Sequence, residues 1–384
     1  MTAQTNPGDD LLPSGKFISV EGERYYRITG YDRMPPFLMN IASDSDLWMF
    51  ISSNGGLTAG RVDADGALFP YETVDKVHDS HHHTGPVTVI RVLKESSGDI
   101  LWEPFSERSR EDFSVENNLY KSITGNRVMF SEINHELGLS FRYSWAGSDI
   151  FGHVRTVHIE NTGSDRLSLS ILDGLRNVLP FGAPLILYQQ LSSLVDAYKR
   201  VDCDSESKLG IFSLTSKIID RAEAAEELKA NTVWSRVPGD HEVSLSIESI
   251  EAFRRGENVS GENQLTGRRG NYLISMKLDL EPGEDCKWHI LADAGKSHVE
   301  ISALRALILE GSDLDLEIEQ SLSEAGENLR RNVGSSDGIQ LTRHEEASVH
   351  HFANVLFNNM RGGVFARNYE IQVQALMDFI RKRN

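Results

Sequence analysis

Cysteine is nearly absent: Cys203 and Cys286 are the only two in 384 residues, and they stand too far apart to match a metal-binding or redox spacing. Each reads as a small buried hydrophobe rather than half of a disulfide, which makes a reducing cytoplasm the expected compartment. Long apolar runs are missing as well. None approaches the roughly 18 residues a helical membrane span needs, so the sequence does not read as a membrane protein. No P-loop and no glycine-rich nucleotide fingerprint is present, and no nucleotide cofactor is expected. Positive charge is short: 39 Lys and Arg stand against 57 Asp and Glu, for a net charge of -18. That surplus repels phosphate backbones and anionic lipid, which argues against nucleic acid and membrane surfaces as partners. The opening MTAQTNPGDDLLPSGK has no basic segment leading into an apolar core. No secretory signal is read there, and residues 1–15 are expected to form a flexible tail.

What is present from residue 16 to residue 295 is strand-like. Short runs such as DLWMFISS, PVTVIRVL, NRVMFSEI, LSFRYSWA, LGIFSLTS, HEVSLSIE, NYLISMKLDL and CKWHILAD are rich in β-branched and aromatic residues and bounded by turn formers. HVRTVHIENTGSDRLSLSIL reads as a hairpin, with Arg155, Val157 and Ile159 on one face, a turn through NTGSD, and Leu167, Leu169 and Ile171 on one face. So many strands at this spacing imply a mostly β fold, a large antiparallel β-sandwich too big for an immunoglobulin-like module. One interruption, DRAEAAEELKA at 220–230, reads as a short helix on helix-former content. Trp48, Trp102, Trp145, Trp234 and Trp288 lie mostly in strand runs and are expected to fill the core, with sugar stacking as the alternative.

Near residue 296 the period changes from two to 3.6. Ile301, Leu304 and Ile308 share one helical stripe, Ile318, Leu322, Ala325 and Leu329 a second, and Val349, Phe352, Leu356 and Met360 a third. A last helix carries Val373, Leu376, Met377 and Ile380 on one side and ends in Arg381, Lys382 and Arg383, which suit the negative end of its dipole. Residues 296–361 are expected to be a helical linker leaning on the sandwich.

The order of PPFLMNIASDSDLWMFISSNGGLTAGRVDADGALFPY, DKVHDSHHHTGPVTVIRV, HIENTG, ILDGLRNVLPFG and FNNMRGGVF resembles the N-terminal region of the cellobiose phosphorylase group. These are the family 94 glycoside hydrolases, formerly glycosyltransferase family 36. The resemblance spans nearly the whole chain from about residue 20, and the order of the motifs carries it. It implies a galactose mutarotase-like super-sandwich followed by linker helices and a catalytic (α/α) barrel, of which 362–384 would be the first helix. Family members phosphorolyse β-linked glucosides with inversion, using phosphate as co-substrate and a carboxylic acid in the barrel. No residue of this chain corresponds to that acid, and no other cofactor or metal is implied. The implied partners are a sugar or oligosaccharide, a helical-barrel catalytic domain in cis or in trans, and a homodimer in which a sandwich loop shapes the mouth of the site.

The candidate site residues follow from the resemblance and from their own chemistry. Asp75, Lys76, His78, Asp79, His81, His82 and His83 make a polar loop in which carboxylate and neutral imidazole suit sugar hydroxyls and imidazolium suits phosphate. If that loop were a strand, Asp79, His81 and His83 would share a face, and a zinc site is the competing reading. Arg176 and Asn177 are the polar members of the mostly apolar LDGLRNVLPFGAP. Arg367, Asn368 and Tyr369 precede the last helix, where Asn368 would otherwise serve as a cap. His153, His158 and His289 sit in alternating strands and read as hydrogen-bonded sheet residues. Two further readings stand beside the non-catalytic module: an aldose epimerase-like enzyme working by proton transfer, and a plain oligosaccharide-binding module.

Overall fold

The computed structural model describes residues 12–94, 98–219, 226–361 and 371–383, the side chains at 74 and 75 excepted. Among the described residues, strands assemble into antiparallel sheets of eleven, five and three strands. The middle of the large sheet runs through Arg127–Asn134, Leu139–Ser148, Gly152–Asn161, Asp285–Ser297 and Lys229–Arg236. Facing it, Gly270–Leu280, Leu167–Val178 and Gly85–Leu93 form the middle of the five-stranded sheet. Alternation decides the faces. Phe141, Tyr143 and Trp145 point inward from one strand, Val157 and Ile159 from the next, and Leu169 and Ile171 come from the opposite sheet to meet them. Trp102, Trp145 and Trp288 are wholly buried, as the strand patterns lead one to expect. The three-stranded sheet, Leu38–Ile41, Leu47–Ser52 and Leu57–Arg61, adds Met49, Ile51, Leu57 and Ala59 to the same core.

The apparent hairpin at 153–171 is not one. Gly152–Asn161 pairs with Leu139–Ser148 and Asp285–Ser297, while Leu167–Val178 pairs with Gly270–Leu280 and Gly85–Leu93 in the other sheet. NTGSD therefore arches across the core instead of folding two neighbours together. The face assignments hold, with Arg155, Val157, Ile159, Leu169 and Ile171 all buried. A sandwich lets two apolar faces meet across the core, which satisfies the period without lateral pairing. Asn161 fixes the arch: its amide donates to the carbonyls of Asp165 at 2.8 Å and Leu280 at 3.0 Å, and its Oδ1 accepts from the Gly163 N–H at 3.0 Å.

The last strand ends at Ser297, which caps the His298–Glu310 helix in a reciprocal arrangement with Glu300. The next helix, Leu314–Ser335, lays Leu314, Ile318 and Leu322 on the outer face of the large sheet against Ala146, Val154, Trp234 and Leu291. Farther along, Leu329 and Val333 meet Phe352 and Leu356 of the Glu345–Met360 helix. The Val373–Arg383 helix buries no residue: Val373, Leu376, Met377 and Ile380 are all exposed.

Several local readings change. The expected helix at 220–230 falls partly on 220–225, outside the described residues, and its last two positions open the strand Lys229–Arg236. Helix-former content without an apolar stripe gives such a segment nothing to bury. Conversely, Leu185–Tyr198 is a helix broken at Leu191, where φ is -137° and ψ is 42°, and no pattern read above points to it. Both cysteines are free and buried, and burial pushes each thiol up to about 11. Among the described residues no helix is long and apolar enough to cross a membrane.

Candidate functional site

A pocket of about 590 Å³ opens where the inner faces of the two large sheets meet the loops at one end of the sandwich. Its floor includes Tyr143 and Arg155, on adjacent strands of the eleven-stranded sheet. Arg155 is wholly buried. Its Nη1 donates to Asp173 Oδ2 at 2.7 Å, and its Nη2 donates to Thr88 Oγ1 at 3.2 Å. Thr88 in turn donates to Asp173 Oδ1 at 2.7 Å, and Trp288 Nε1 donates to Oδ2 at 2.8 Å. Three donors thus surround the buried carboxylate, the condition under which a desolvated ion pair is tolerable. The guanidinium also lies 4.8 Å from the centre of the Tyr143 ring.

The histidine segment forms one wall, and it is helical rather than extended. Val74–Val77 is a single α-turn, and Asp79–His82 is a 3-10 turn. Asp79, His81 and His83 therefore do not share a face by strand alternation, and the premise of the zinc reading falls away. His81 Nδ1 donates to the His78 carbonyl at 2.6 Å, which leaves Nε2 as an acceptor. Burial lowers the His81 pKa, and the neighbouring His82 and Arg176 add to the effect, so the ring is neutral at pH 7. The His81 and His82 rings lie 3.7 Å apart between centroids.

Arg176 reaches this wall from the opposite sheet. Its Nη1 donates to the His82 carbonyl at 2.6 Å, and its Nη2 donates to the carbonyls of His81 at 2.7 Å and Pro86 at 3.0 Å. Two segments singled out in the sequence are joined here, and His81, His82 and Arg176 all line the pocket. Burial lowers the Arg176 pKa. Asn177 supports the wall from behind. It is buried in a left-handed conformation (φ 55°) at an irregularity in the strand pairing, and its amide donates to Thr84 Oγ1 at 3.1 Å. His78 contributes its carbonyl, which also accepts from Asn54 Nδ2 at 3.0 Å. Lys76, Asp79 and His83 are exposed beside the pocket. Asp75 falls in the α-turn with its side chain outside the description, and Arg367, Asn368 and Tyr369 lie outside the described residues.

The remaining wall escaped the sequence reading. Residues 103–110 bring Phe105, Ser106 and Arg110 to the pocket, with Glu103 at its edge. Phe105 has φ 67°, a left-handed conformation that costs a bulky side chain about 1–3 kcal/mol. Two contacts hold it there. Its N–H donates to Glu132 Oε2 at 2.7 Å, and its ring meets Tyr143 edge-on at 5.4 Å. Glu132 is itself wholly buried, also accepts from Trp102 Nε1 at 2.8 Å, and has its pKa raised by burial. Arg254 closes the edge through two bonds to Glu103, at 2.9 and 2.5 Å. The one sequence signal here was Ser106, whose hydroxyl accepts from the Ser109 N–H at 3.0 Å and starts a short helix.

A second hollow, of about 260 Å³, lies on the outer face of the large sheet beside the Leu314–Ser335 helix. The Arg142–Glu21 ion pair, at 2.7 Å, closes part of its wall, and the lining His158 donates from Nε2 to Asp285 Oδ2 at 2.6 Å. His289 bonds Thr156 Oγ1 through Nδ1 at 3.0 Å, and burial lowers its pKa to about 4. His153 contacts the Gly60 carbonyl at 3.2 Å. All three strand histidines are hydrogen-bonded within the sheets, as their alternation suggests. The larger pocket has what a polyhydroxyl ligand needs: an aromatic wall at Phe105 backed by the buried Tyr143 ring, an imidazole acceptor, and fixed guanidinium donors.

No protein-family model matches the chain, and no curated protein matches it. Among solved structures it is similar to a bacterial glucoamylase complexed with acarbose, at 11% identity and a TM-score of 0.40, over 84% of this chain and 40% of that one. It is similar to a polysaccharide lyase at 13% identity and a TM-score of 0.34, over 68% of this chain and 33% of that one. A GalM/aldose epimerase homologue from C. elegans aligns at 10% identity and a TM-score of 0.35, over 67% of this chain and 98% of that one. The chain spans well under half the length of the glucoamylase and the lyase.

Proposed function

We propose that this chain is the sandwich and linker portion of a carbohydrate-active protein, and that the pocket between the sheets binds a sugar. The observation that carries the reading is the anchoring of the His81 and His82 carbonyls by Arg176. Those residues belong to two of the segments through which the sequence resembles the cellobiose phosphorylase group, and they meet at a pocket with aromatic and hydrogen-bonding walls. In the finer form of the proposal the sandwich loops shape the mouth of a phosphorolytic site. Phosphate is its co-substrate, and an (α/α) barrel, in cis or in trans, supplies the acid. The uncovered stripe on Val373–Arg383 supports a helical partner of that kind.

Titration calorimetry of the chain with cello-oligosaccharides, run beside an assay for released sugar phosphate, tests the proposal. Saturable binding without turnover is the expected result. Release of sugar phosphate by the chain alone would overturn the module reading. Mutarotation of glucose followed by polarimetry, if it were lost in a His81→Ala variant, would favour an epimerase instead.

A further inference from the structure

Charge is distributed unevenly through the larger pocket. Arg155 is matched by Asp173 at 2.7 Å and Arg254 by Glu103 at 2.5 Å, so each of these carboxylates is taken up by a cation. Arg176 has no such match. Its hydrogen-bond partners are three backbone carbonyls, and it is in no ion pair among the described residues. Arg110 also lines the pocket, and it is in no ion pair among the described residues. Two carboxylates line the pocket besides Glu103, Asp32 and Glu107. Glu107 is exposed and Asp32 half-buried, so water screens them, and among the described residues neither forms an ion pair with Arg176.

The histidine wall of the pocket therefore holds a half-buried positive charge that no carboxylate pairs with among the described residues, in surroundings where such a charge is costly. We infer that the ligand is a sugar bearing an oxyanion, a carboxylate or a phosphate, set against Arg176 with Arg110 nearby. The inference rests on the sugar-binding reading above and narrows its substrate class. An uncharged sugar would fill the aromatic part of the pocket and leave Arg176 uncompensated. A bare anion would meet Arg176 and leave the half-buried Phe105 ring without a face to pack on. Guanidinium bonds to an oxyanion are about twice as strong as neutral ones, so the sugar and its charge together account for both parts of the pocket.

Calorimetry on the full chain with glucose, glucuronate, glucose 6-phosphate and inorganic phosphate, each at low and high salt, tests this. Glucuronate or glucose 6-phosphate should bind at least tenfold tighter than glucose, and whichever of the two does so identifies the oxyanion. That preference should shrink at high salt and fall by threefold or more in Arg110→Gln, an exposed position whose replacement spares the fold. Arg176→Gln should abolish it. Glucose binding as tightly as both acids would overturn the inference and leave the sugar reading standing. Inorganic phosphate binding as tightly as glucose 6-phosphate would also overturn it, since the sugar would then contribute nothing. If no sugar binds, charged or uncharged, the underlying sugar reading itself fails.

Discussion

Arg155 was legible as an inward-facing residue, because it alternates with Val157 and Ile159, but not as the partner of Asp173. Nothing in a period of two says that a strand from the other sheet will bring a carboxylate opposite it. Breaking such a pair by removing one member costs about 3–5 kcal/mol, because the remaining charge is buried alone. Arg155→Met should show that loss in urea unfolding, and adding Asp173→Leu should recover part of it, although Trp288 Nε1 and Thr88 then lose their acceptor. The buried histidines set the response to acid. Burial lowers His153 and His289 to about 4 from the ordinary 6.5, so below 6.5 the unfolded chain takes up protons that the folded chain refuses. Their contribution is whole above pH 6.5 and drains away as the pH falls towards 4, at up to about 1.4 kcal/mol per pH unit for each ring. Stability measured across that window should slope downwards with acid, and His153→Gln should make the slope shallower by about one proton. An unchanged slope would mean that His153 titrates normally in the folded state.

Among the elements, strands and the long amphipathic helices were readable, since each repeats its pattern over several turns or pleats. Ile318, Leu322, Ala325 and Leu329 were assigned to one stripe, and all four are buried. Ile318→Ala should cost about 2–5 kcal/mol, because Ile318 is wholly buried against the outer face of the sheet. The equivalent Ile380→Ala on the exposed final helix should change the stability of the chain by less than about 0.5 kcal/mol. A large effect at Ile380 would show that the final helix packs on the sandwich. The arch at 161–165 and the broken helix Leu185–Tyr198 were not readable. In the first, lateral and facing strand partners leave the same alternation. In the second, the kink interrupts the period. The 103–110 wall was hidden for a third reason: a bulky residue at positive φ leaves no mark in sequence, and Glu132, which holds it, is far along the chain.

At the scale of the molecule, the sandwich brings segments that are distant in sequence to a single pocket. Arg176 pins the histidine turns, Glu132 pins Phe105, and the Arg155–Asp173 pair sits beneath them. Each wall is thus fixed by a residue from another element, so the pocket is formed before any ligand arrives. Hydrogen exchange of the whole chain, with and without a saturating cello-oligosaccharide, tests this most directly. Protection gained in the turns at 78–86 and the wall at 103–110, with the outer face of the large sheet unchanged, is the result the account predicts. Protection confined to that outer face, or absent at a concentration where calorimetry shows binding, would contradict it.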